Sequence, residues 1–405
     1  MRLLAASDLH IGRIPSLPDQ SHAVTGCSAW EALIQCALDY KVDALLLAGD
    51  VVQADNAWLE AFGALLPGLA RLKEAGIQVV AVAGNHDAEV FPRVGQYSDA
   101  MIILGQQGRW ESYDLGRVRI TGWSFPGSSH TGNPLRTFPA GPLPPGFAHL
   151  GLLHCDLDAP AGSPYAPVAS AELQAAPVDL WVLGHIHKGG PQAGAKAVYC
   201  GSPVALHLAE EGPHGAWLLE VDAHGHVAAP VRVALSPWDF RTLRVDLDQV
   251  TTRKDALERI SAAMLGAILE QPAPPLVTLY CSLHLPGDCA LSGSLETELR
   301  ADLERAGELV INGVKAKATL RIHDATNPLL DLDALATEHS LEGSLARLIL
   351  QARDPEAPLD ELPDLVSRVL RLNPQHPVRP ELAREWVSLA ARRLLTAVHS
   401  QKRGA

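Results

Sequence analysis

Residues 78–87, with the sequence QVVAVAGNHD, join a short valine-rich run to a turn that contains an asparagine, a histidine and an aspartate. An apolar run of this length, bounded by glycine, is typical of a buried β-strand. In open α/β sheets, binding sites form at the carboxyl ends of the strands, which is where these polar residues lie. The stretch therefore predicts a strand of an α/β sheet that leads into a polar site.

The same pattern occurs at other apolar runs in the first half of the chain. The predicted strands span 3–7, 44–48, 78–83, 117–122, 150–154 and 180–184, with amphipathic helices at 29–39 and 58–75. The ligand-type residues at the strand ends are Asp8, His10, Asp50, Asn85, His154, His185 and His187. A turn or a helix cap explains any one of these motifs alone. Their occurrence in order at five strand ends favours one shared site in a layered α/β domain.

The types of side chain in this set indicate the kind of site. Two carboxylates, one amide and four histidines suit divalent ions such as Mn²⁺ or Fe²⁺. In dinuclear sites, two ions about 3.5–4 Å apart share a bridging carboxylate and hold a phosphate for in-line attack. We therefore expect a centre for two divalent metal ions, with Mn²⁺ as the first choice.

Charge and hydropathy exclude several classes of protein. The 405 residues include 33 Lys and Arg against 46 Asp and Glu, a formal net charge of −13. Nucleic acid repels such a chain on average, so DNA would bind only through a local basic patch or a basic partner. No apolar run approaches the roughly 18 residues of a membrane helix, and Asp8 comes too early for a signal peptide. Six cysteines without a Cys-x-x-Cys pair fit reduced, buried thiols, so we expect a cytoplasmic protein with no membrane contact.

The second half of the chain indicates two further regions. Short strands with turn residues at 198–221 predict antiparallel hairpins that complete the first domain. A small α+β domain is predicted from strands at 243–247, 276–283 and 319–322 and helices at 253–270 and 295–306. Helices are predicted beyond it at 331–353, 359–372 and 380–400. The predicted domains are 1–235, 236–327 and 328–405.

The ordered motifs between Asp8 and His187 closely resemble those of the calcineurin-like metallophosphoesterases. The resemblance implies a four-layer α/β sandwich, followed here by the small α+β capping domain and a helical C-terminal region. The implied ligands are Asp8, His10, Asp50 and His187 for one ion and Asp50, Asn85, His154 and His185 for the other, with Asp50 bridging. By the same analogy, His86 approaches the scissile phosphate without binding metal and protonates the leaving oxygen or stabilises charge, a role that suits imidazole.

Several segments resemble the SbcD-type DNA repair nucleases, and their YhaO-like relatives most closely. The segments that resemble the SbcD-type nucleases are Asp8–Arg13, Tyr199–Pro203 and Gly215–Val221. Those that resemble the YhaO-like relatives are Leu152–Asp156, Tyr165–Pro167, Leu180–His187 and Leu330–Leu350. This resemblance implies a DNA exonuclease or endonuclease that forms a homodimer and works with an SbcC-like coiled-coil ATPase. Arg13 and Lys188 directly follow ligand motifs and are candidate phosphate contacts, although a solvated surface role is equally open.

Two positions near Asp50 depart from family patterns. Protein phosphatases of the superfamily continue Gly-Asp into an Asp-Arg-Gly pattern, whereas Asp50 is followed by VVQA, which disfavours a phosphatase. SbcD-like nucleases often have an aspartate at the position of Gln53. The residue that orients His86 is therefore left open, with Asp55 as one candidate.

Two other functions remain open. A phosphatase or cyclic-nucleotide phosphodiesterase would use the same ligands on small substrates, but the long region after residue 235 disfavours it. An architectural subunit that tethers an ATPase to DNA would not require the complete ligand set and His86. Two apolar stripes at helical spacing fit either intramolecular packing or partner docking. They comprise Leu341, Leu345, Leu348 and Ile349, and Leu382, Trp386, Leu389 and Arg393.

Overall fold

A computed structural model gives the fold of most of the chain. It describes residues 1–13, 16, 26–53, 58–139, 141, 143–160, 162–270, 278–306, 309–311, 313–354 and 380–403. The helix predicted at 359–372 and the candidate residue Asp55 lie outside the described residues.

Short strands alternate with helices through the first half of the chain, as the sequence predicts. The strands are β1 (Arg2–Ala6), β2 (Ala44–Ala48), β3 (Gln78–Val82), β4 (Met101–Ile103), β5 (Trp110–Leu115), β6 (Val118–Trp123), β7 (Ala148–His154), β8 (Asp156–Leu157), β9 (Pro167–Val168), β10 (Leu180–Gly184), β11 (Gly190–Gln192), β12 (Ala197–Tyr199), β13 (Gly215–Glu220), β14 (Val231–Ala234), β15 (Trp238–Arg244), β16 (Thr278–Cys289), β17 (Leu309–Ile311) and β18 (Val314–Pro328). The α-helices are α1 (Gly26–Asp39), α2 (Trp58–Glu74), α3 (Phe91–Gly95), α4 (Ser170–Ala175), α5 (Arg253–Leu269), α6 (Leu295–Ala306), α7 (Leu332–Ala336), α8 (Leu341–Arg353) and α9 (Pro380–Arg403), and a 3-10 helix spans Pro134–Thr137.

Two six-stranded sheets form the centre of the first domain. In the first sheet the order is β14-β13-β1-β2-β3-β4, with β1 to β4 parallel and β13 and β14 antiparallel. In the second sheet the order is β11-β12-β10-β7-β6-β5, with four parallel strands between antiparallel edges. The antiparallel pair β13 and β14 confirms the hairpin predicted at the end of this domain.

Apolar packing on both faces of each sheet produces four layers. Side chains from both sheets, such as Leu46 and Leu152, share one buried cluster between them. The outer face of the first sheet packs against α1 and α2, for example through Trp30 and Leu69. On the outer face of the second sheet, Trp181 packs with Leu173 of α4. Strands with two covered faces need apolar residues throughout, which explains why every residue of β2 and β10 is buried. The predicted α/β sandwich is confirmed.

Contacts divide the chain into two compact units. Unit 1 comprises Met1–Arg241, Glu270–Tyr280 and Val310–Ala316, and unit 2 comprises Thr242–Leu269, Cys281–Leu309 and Lys317–Ala405. The strands β15 to β18 form a four-stranded sheet in the order β15-β16-β18-β17. The three-domain division at 235 and 328 stays a prediction. Among the described residues, no helix has the length and hydropathy needed to cross a membrane.

In unit 2, the helices of the C-terminal region pack on one another. Leu345 and Ile349 of α8 contact Ala391 and Leu395 of α9, and Leu348 packs against this cluster. The first predicted stripe is thus largely intramolecular core. Trp386 and Leu389 of the second stripe are instead exposed, at 44% and 47%.

Candidate metal centre

The predicted ligands of unit 1 gather where strands of both sheets end. The segments after β1, β2 and β3 carry Asp8 and His10, Asp50, and Asn85; His154 ends β7, and His185 and His187 follow β10. Both sheets therefore contribute to one site, as parallel strands that end at a common edge should.

Four of these residues have an unusual backbone conformation. Asp8, His10, Asp50 and His185 have φ angles of 53°, 46°, 51° and 101°. A left-handed conformation costs a non-glycine residue about 1–2 kcal/mol, and such outliers cluster at functional sites. Backbone hydrogen bonds hold the turns in place, because the Asp8 amide donates to the Gly49 carbonyl at 3.0 Å and the His10 amide to the Asp50 carbonyl at 3.0 Å.

The ligand atoms form two overlapping groups. Asp8, His10 and His187 form one group and Asp8, Asp50 and His154 the other, and within each group the atoms lie within 4.8 Å of one another. Asp50 lies near both, because its Oδ2 is 3.3 Å from His154 Nε2 and 4.0 Å from His10 Nε2.

Two further predicted ligands lie at the edges of these groups. Asn85 Oδ1 is 3.1 Å from His154 Nε2. His185 lies outside both groups; its ring centroid is 5.3 Å from that of His154, and its backbone amide donates to Asp8.

Outer hydrogen bonds fix which ring nitrogen of three histidines faces the centre. The Nδ1 of His154 donates to the Ala48 carbonyl at 2.9 Å. The Nδ1 of His187 donates to Glu210 Oε1 at 2.6 Å, and that of His10 to Gln53 Oε1 at 2.9 Å. A neutral imidazole with its proton on Nδ1 has a lone pair on Nε2, which is the nitrogen that a metal would bind.

These Nε2 atoms face other electron-rich atoms, so each contact needs a proton or a metal ion between its two partners. The Nε2 atoms of His10 and His187 are 3.1 Å apart, and with both protons on Nδ1 neither atom has a hydrogen to donate. The Nε2 of His154 likewise faces the Asp50 carboxylate. Because imidazole nitrogens and carboxylates at two adjacent positions are the donors that Mn²⁺ and similar ions accept, the residues fit a dinuclear metal centre.

The electrostatics agree with this interpretation. Burial lowers the pKa of His10 to about 3 and that of His185 to about 4, so both rings are neutral and able to bind metal. For His154, burial opposes protonation, but the carboxylates of Asp50 and Asp8 prevail and raise the pKa to about 9. Asp8 is fully buried, and burial raises its pKa. A dication would displace the proton of His154 and stabilise the Asp8 carboxylate.

A buried aspartate that was not among the predicted ligands supports the β3 turn. Asp87 accepts hydrogen bonds from the amides of Gly84 at 2.7 Å, Val51 at 2.7 Å and Val52 at 3.2 Å. Burial, with the neighbouring Asp50 charge, raises its pKa to about 7. The side chain thus fastens the Asn85 turn to the segment that follows Asp50. Its position in the GNHD motif was the available sequence signal.

His86 lies beside the ligand groups and is half-buried. Its ring centroid is 5.1 Å from that of His10, and its Nδ1 is 3.2 Å from Gln53 Nε2. Gln53 thus contacts both histidines. The sequence showed Gln53 only as a departure from a family pattern, and its role as a bridge was missed.

The two candidate phosphate contacts differ in exposure. Arg13 is half-buried in the turn after His10. Burial opposes protonation of His187, but Glu210 and Asp8 prevail and raise its pKa, and the charge of Arg13 is a smaller opposing influence. Lys188 is exposed directly after His187. Their contact with substrate stays a prediction.

Comparison with known proteins agrees with this geometry. The family model described as calcineurin-like phosphoesterase matches residues 1–189. These residues form a calcineurin-like phosphoesterase domain. The predicted family is therefore confirmed for this part of the chain, and it supports a metal-dependent phosphoesterase.

Relatives of the phosphoesterase domain include proteins named for DNA repair. An uncharacterized metallophosphoesterase, YhaO of Bacillus subtilis, is 29% identical over 236 residues, covering 55% of this chain and 57% of that protein. The DNA double-strand break repair protein Mre11 of Methanopyrus kandleri is 27% identical, covering 56% and 55%, and Mre11 of Haloferax volcanii is 28% identical, covering 54% and 49%. The chain spans about half the length of these relatives.

Solved structures also match. TT1561 of Thermus thermophilus shares 14% identity with a TM-score of 0.34, covering 57% of this chain and 98% of that one. A dimetal phosphatase of Danio rerio shares 11% identity with a TM-score of 0.33, covering 58% and 99%.

Proposed function

We propose that the chain is a DNA nuclease that uses two divalent metal ions, Mn²⁺ in the first instance, to hydrolyse phosphodiester bonds at DNA ends or hairpins. The observation that carries the proposal is the convergence of histidine lone pairs and buried carboxylates beside His86, at the common edge of two sheets. The two Mre11 relatives support DNA as the substrate.

The chain's own residues hold the centre and stabilise the leaving group. Bound metal ions would neutralise phosphate charge and lower the pKa of the attacking water. The ions would be held by Asp8, Asp50 and the three histidines whose Nδ1 atoms donate hydrogen bonds: His10, His154 and His187. His86 would stabilise the charge on the departing sugar oxygen by a hydrogen bond from Nε2, because Gln53 donates to its Nδ1 and leaves the ring hydrogen on Nε2.

The acidic composition requires that DNA be held locally. With a net charge of −13, affinity must come from basic residues near the site, and we propose Arg13 and Lys188. A homodimer and an SbcC-like coiled-coil ATPase would add further contacts in DNA repair. We assign this activity to the cytoplasm, consistent with the lack of a disulfide bond among the described cysteines.

The second candidate is a phosphodiesterase or phosphatase for small substrates. The net charge of −13 favours it, because a small phosphate ester needs no extended basic surface.

One set of assays separates these functions. Purified full chain would be tested with Mn²⁺ or with EDTA on duplex ends, DNA hairpins, bis-p-nitrophenyl phosphate and p-nitrophenyl phosphate. We expect Mn²⁺-dependent cleavage of DNA and of the diester, and a loss of about 10²–10⁴-fold on DNA in H86Q. The matched control, H224Q, changes an exposed histidine on a turn remote in sequence from the ligand motifs and should keep full activity.

The other outcomes contradict the proposal. Activity restricted to the monoester or to small diesters would establish the second candidate. No hydrolysis of any substrate, even with an added SbcC-like ATPase, would favour the architectural subunit.

A further inference from the structure

Glu210 is a buried carboxylate in the loop between β12 and β13, and it is only 9% exposed. Its Oε1 accepts the hydrogen bond from His187 Nδ1 at 2.6 Å and lies 3.1 Å from His207 Nε2. Its Oε2 accepts from the Leu206 amide at 2.6 Å. Both carboxylate oxygens are therefore held in place.

The partners of this carboxylate are unusual for a buried charge. Buried carboxylates are ordinarily paired with a cation. Among the described residues, the ion pairs of Glu210 are with two histidines, of which His207 is 45% exposed and His187 belongs to the metal centre. The favourable partner for its charge is thus a positively charged His187, or a cation bound through that ring.

The two ligand groups differ in the acceptors that hydrogen-bond to the Nδ1 atoms of their histidines. In the group of Asp8, His10 and His187, one histidine donates to a carboxylate, Glu210. In the group of Asp8, Asp50 and His154, the histidine donates to a neutral backbone carbonyl. A carboxylate behind a ligating histidine fixes the ring and makes it a stronger donor to metal, and losing such a partner typically weakens metal binding 10–100-fold.

We propose that Glu210 is a positioning residue that makes the Asp8–His10–His187 group the tighter of the two metal positions. The inference rests on the dinuclear centre of the proposed function. It assigns an order of affinity to the two positions from the residues that support their ligands.

The test measures Mn²⁺ binding to the full chain, by calorimetry and by electron paramagnetic resonance of free Mn²⁺. We expect two ions of unequal affinity in the wild type. E210Q keeps the size of the side chain but removes its charge, and E210A removes both acceptors. Each should weaken the tighter ion by about 10–100-fold and the weaker ion by less than about threefold.

Two controls separate positioning from folding. H207A removes the other imidazole on the same carboxylate and should change neither affinity by more than about threefold. Thermal unfolding in EDTA reports any structural cost of E210A, and if that variant does not fold, E210Q decides. Nitrogen NMR of the metal-free chain should show His187 with its proton on Nδ1 in the wild type and a mixture of tautomers in E210A.

Equal affinities in the wild type would overturn the inference, as would binding of a single ion. An E210Q chain that loses both ions equally, or neither, would also overturn it. Selective loss of one ion in a chain that never cleaves DNA would uphold the role of Glu210 and reject the proposed substrate.

Discussion

Gln53 joins two histidines with different predicted roles, and its amide can satisfy both only in one orientation. Its Oε1 accepts from His10 Nδ1 at 2.9 Å, so its NH₂ group faces His86 Nδ1 at 3.2 Å. A neutral His86 then has its proton on Nε2. An aspartate at this position would instead accept a hydrogen bond from His86 Nδ1, leaving the neutral ring without a hydrogen on Nε2.

Replacing Gln53 should therefore affect substrates according to their leaving group. A departing sugar oxygen carries a localised charge that the hydrogen bond from His86 Nε2 stabilises, whereas nitrophenolate spreads its charge over the ring and leaves without that help. We expect Q53A to lower kcat on DNA by about tenfold or more and on bis-p-nitrophenyl phosphate by less than about threefold. Q106A changes an exposed glutamine and serves as the control. Equal losses on both substrates would mean that Gln53 acts only by holding His10.

His149 of β7 provides a test of stability against pH. It is 5% exposed, with Nε2 2.8 Å from Thr121 Oγ1 and Nδ1 donating to the Pro177 carbonyl at 2.7 Å. Burial lowers its pKa below the ordinary 6.5, so on acidification the unfolded chain takes up this proton first. The stability that the neutral ring contributes is complete above about pH 6.5 and declines as the pH falls.

Urea unfolding at about pH 7.5 and about pH 5.5, which bracket the ordinary titration range of histidine, measures this contribution. We expect H149N to reduce the free energy of unfolding by about 1–3 kcal/mol at the higher pH, because buried hydrogen bonds are lost. The decrease between the two pH values should be smaller in H149N than in the wild type. An equal or larger decrease would show that His149 does not titrate differently on unfolding.

The turn after β3 depends on a glycine. A Cβ at Gly84 would clash with the Asp50 carboxylate and would lie 2.7 Å from the Asp50 amide. The turn can approach Asp50 this closely only without a side chain at this position.

G84A should consequently displace either Asp50 or the Asn85 turn. We expect Mn²⁺ affinity to fall at least about tenfold, because a ligand that moves from its position no longer completes the coordination geometry. In α2, a Cβ at Gly63 meets nothing within 4 Å, so G63A should leave Mn²⁺ binding intact and stabilise the fold by about 0.5–1 kcal/mol. Calorimetry and thermal unfolding of both variants test this, and normal Mn²⁺ binding by G84A would contradict it.

The elements that sequence predicts well are those whose burial follows from local composition. The predicted strand at 44–48 coincides with β2, because an uninterrupted apolar run suits a strand covered on both faces. Ligand-type residues at the ends of such strands converge because parallel strands end at one edge. The predicted neighbourhood of Asp8, Asp50 and His154 is therefore found in the structure.

Contacts between distant segments are not predictable in this way. Glu210 contacts His187 although it lies 23 residues further along the chain. Its loop has no regular sequence pattern, so the spacing of residues does not predict this contact. The helix α9 has two apolar stripes, of which one is buried and the other is exposed. Val387, Ala391 and Leu395 are buried, whereas Trp386 and Leu389, in the predicted stripe, are exposed. Periodicity identifies an amphipathic helix but does not select between two such faces.

The net charge of −13 limits how DNA can bind to the chain. Long-range attraction is lacking, so binding depends on a few local contacts with phosphates. Each phosphate contact that a basic residue makes contributes about −0.9 to the slope of log affinity against log salt concentration on duplex DNA. The slope therefore gives the number of contacts between basic residues and phosphates.

Arg13 and Lys188 are the residues whose loss should change that count. With H86Q as background to suppress cleavage, we expect R13A and K188A each to reduce the salt slope by about 0.9 and to weaken binding at low salt. K73A is the matched control. Lys73 of α2 forms an exposed ion pair with Asp99, so its replacement should leave the slope unchanged. Fluorescence anisotropy with a labelled duplex end at several salt concentrations measures all four proteins. Identical slopes in R13A, K188A and K73A would show that DNA is held elsewhere, and a basic partner subunit would then have to supply the phosphate contacts that this acidic chain lacks.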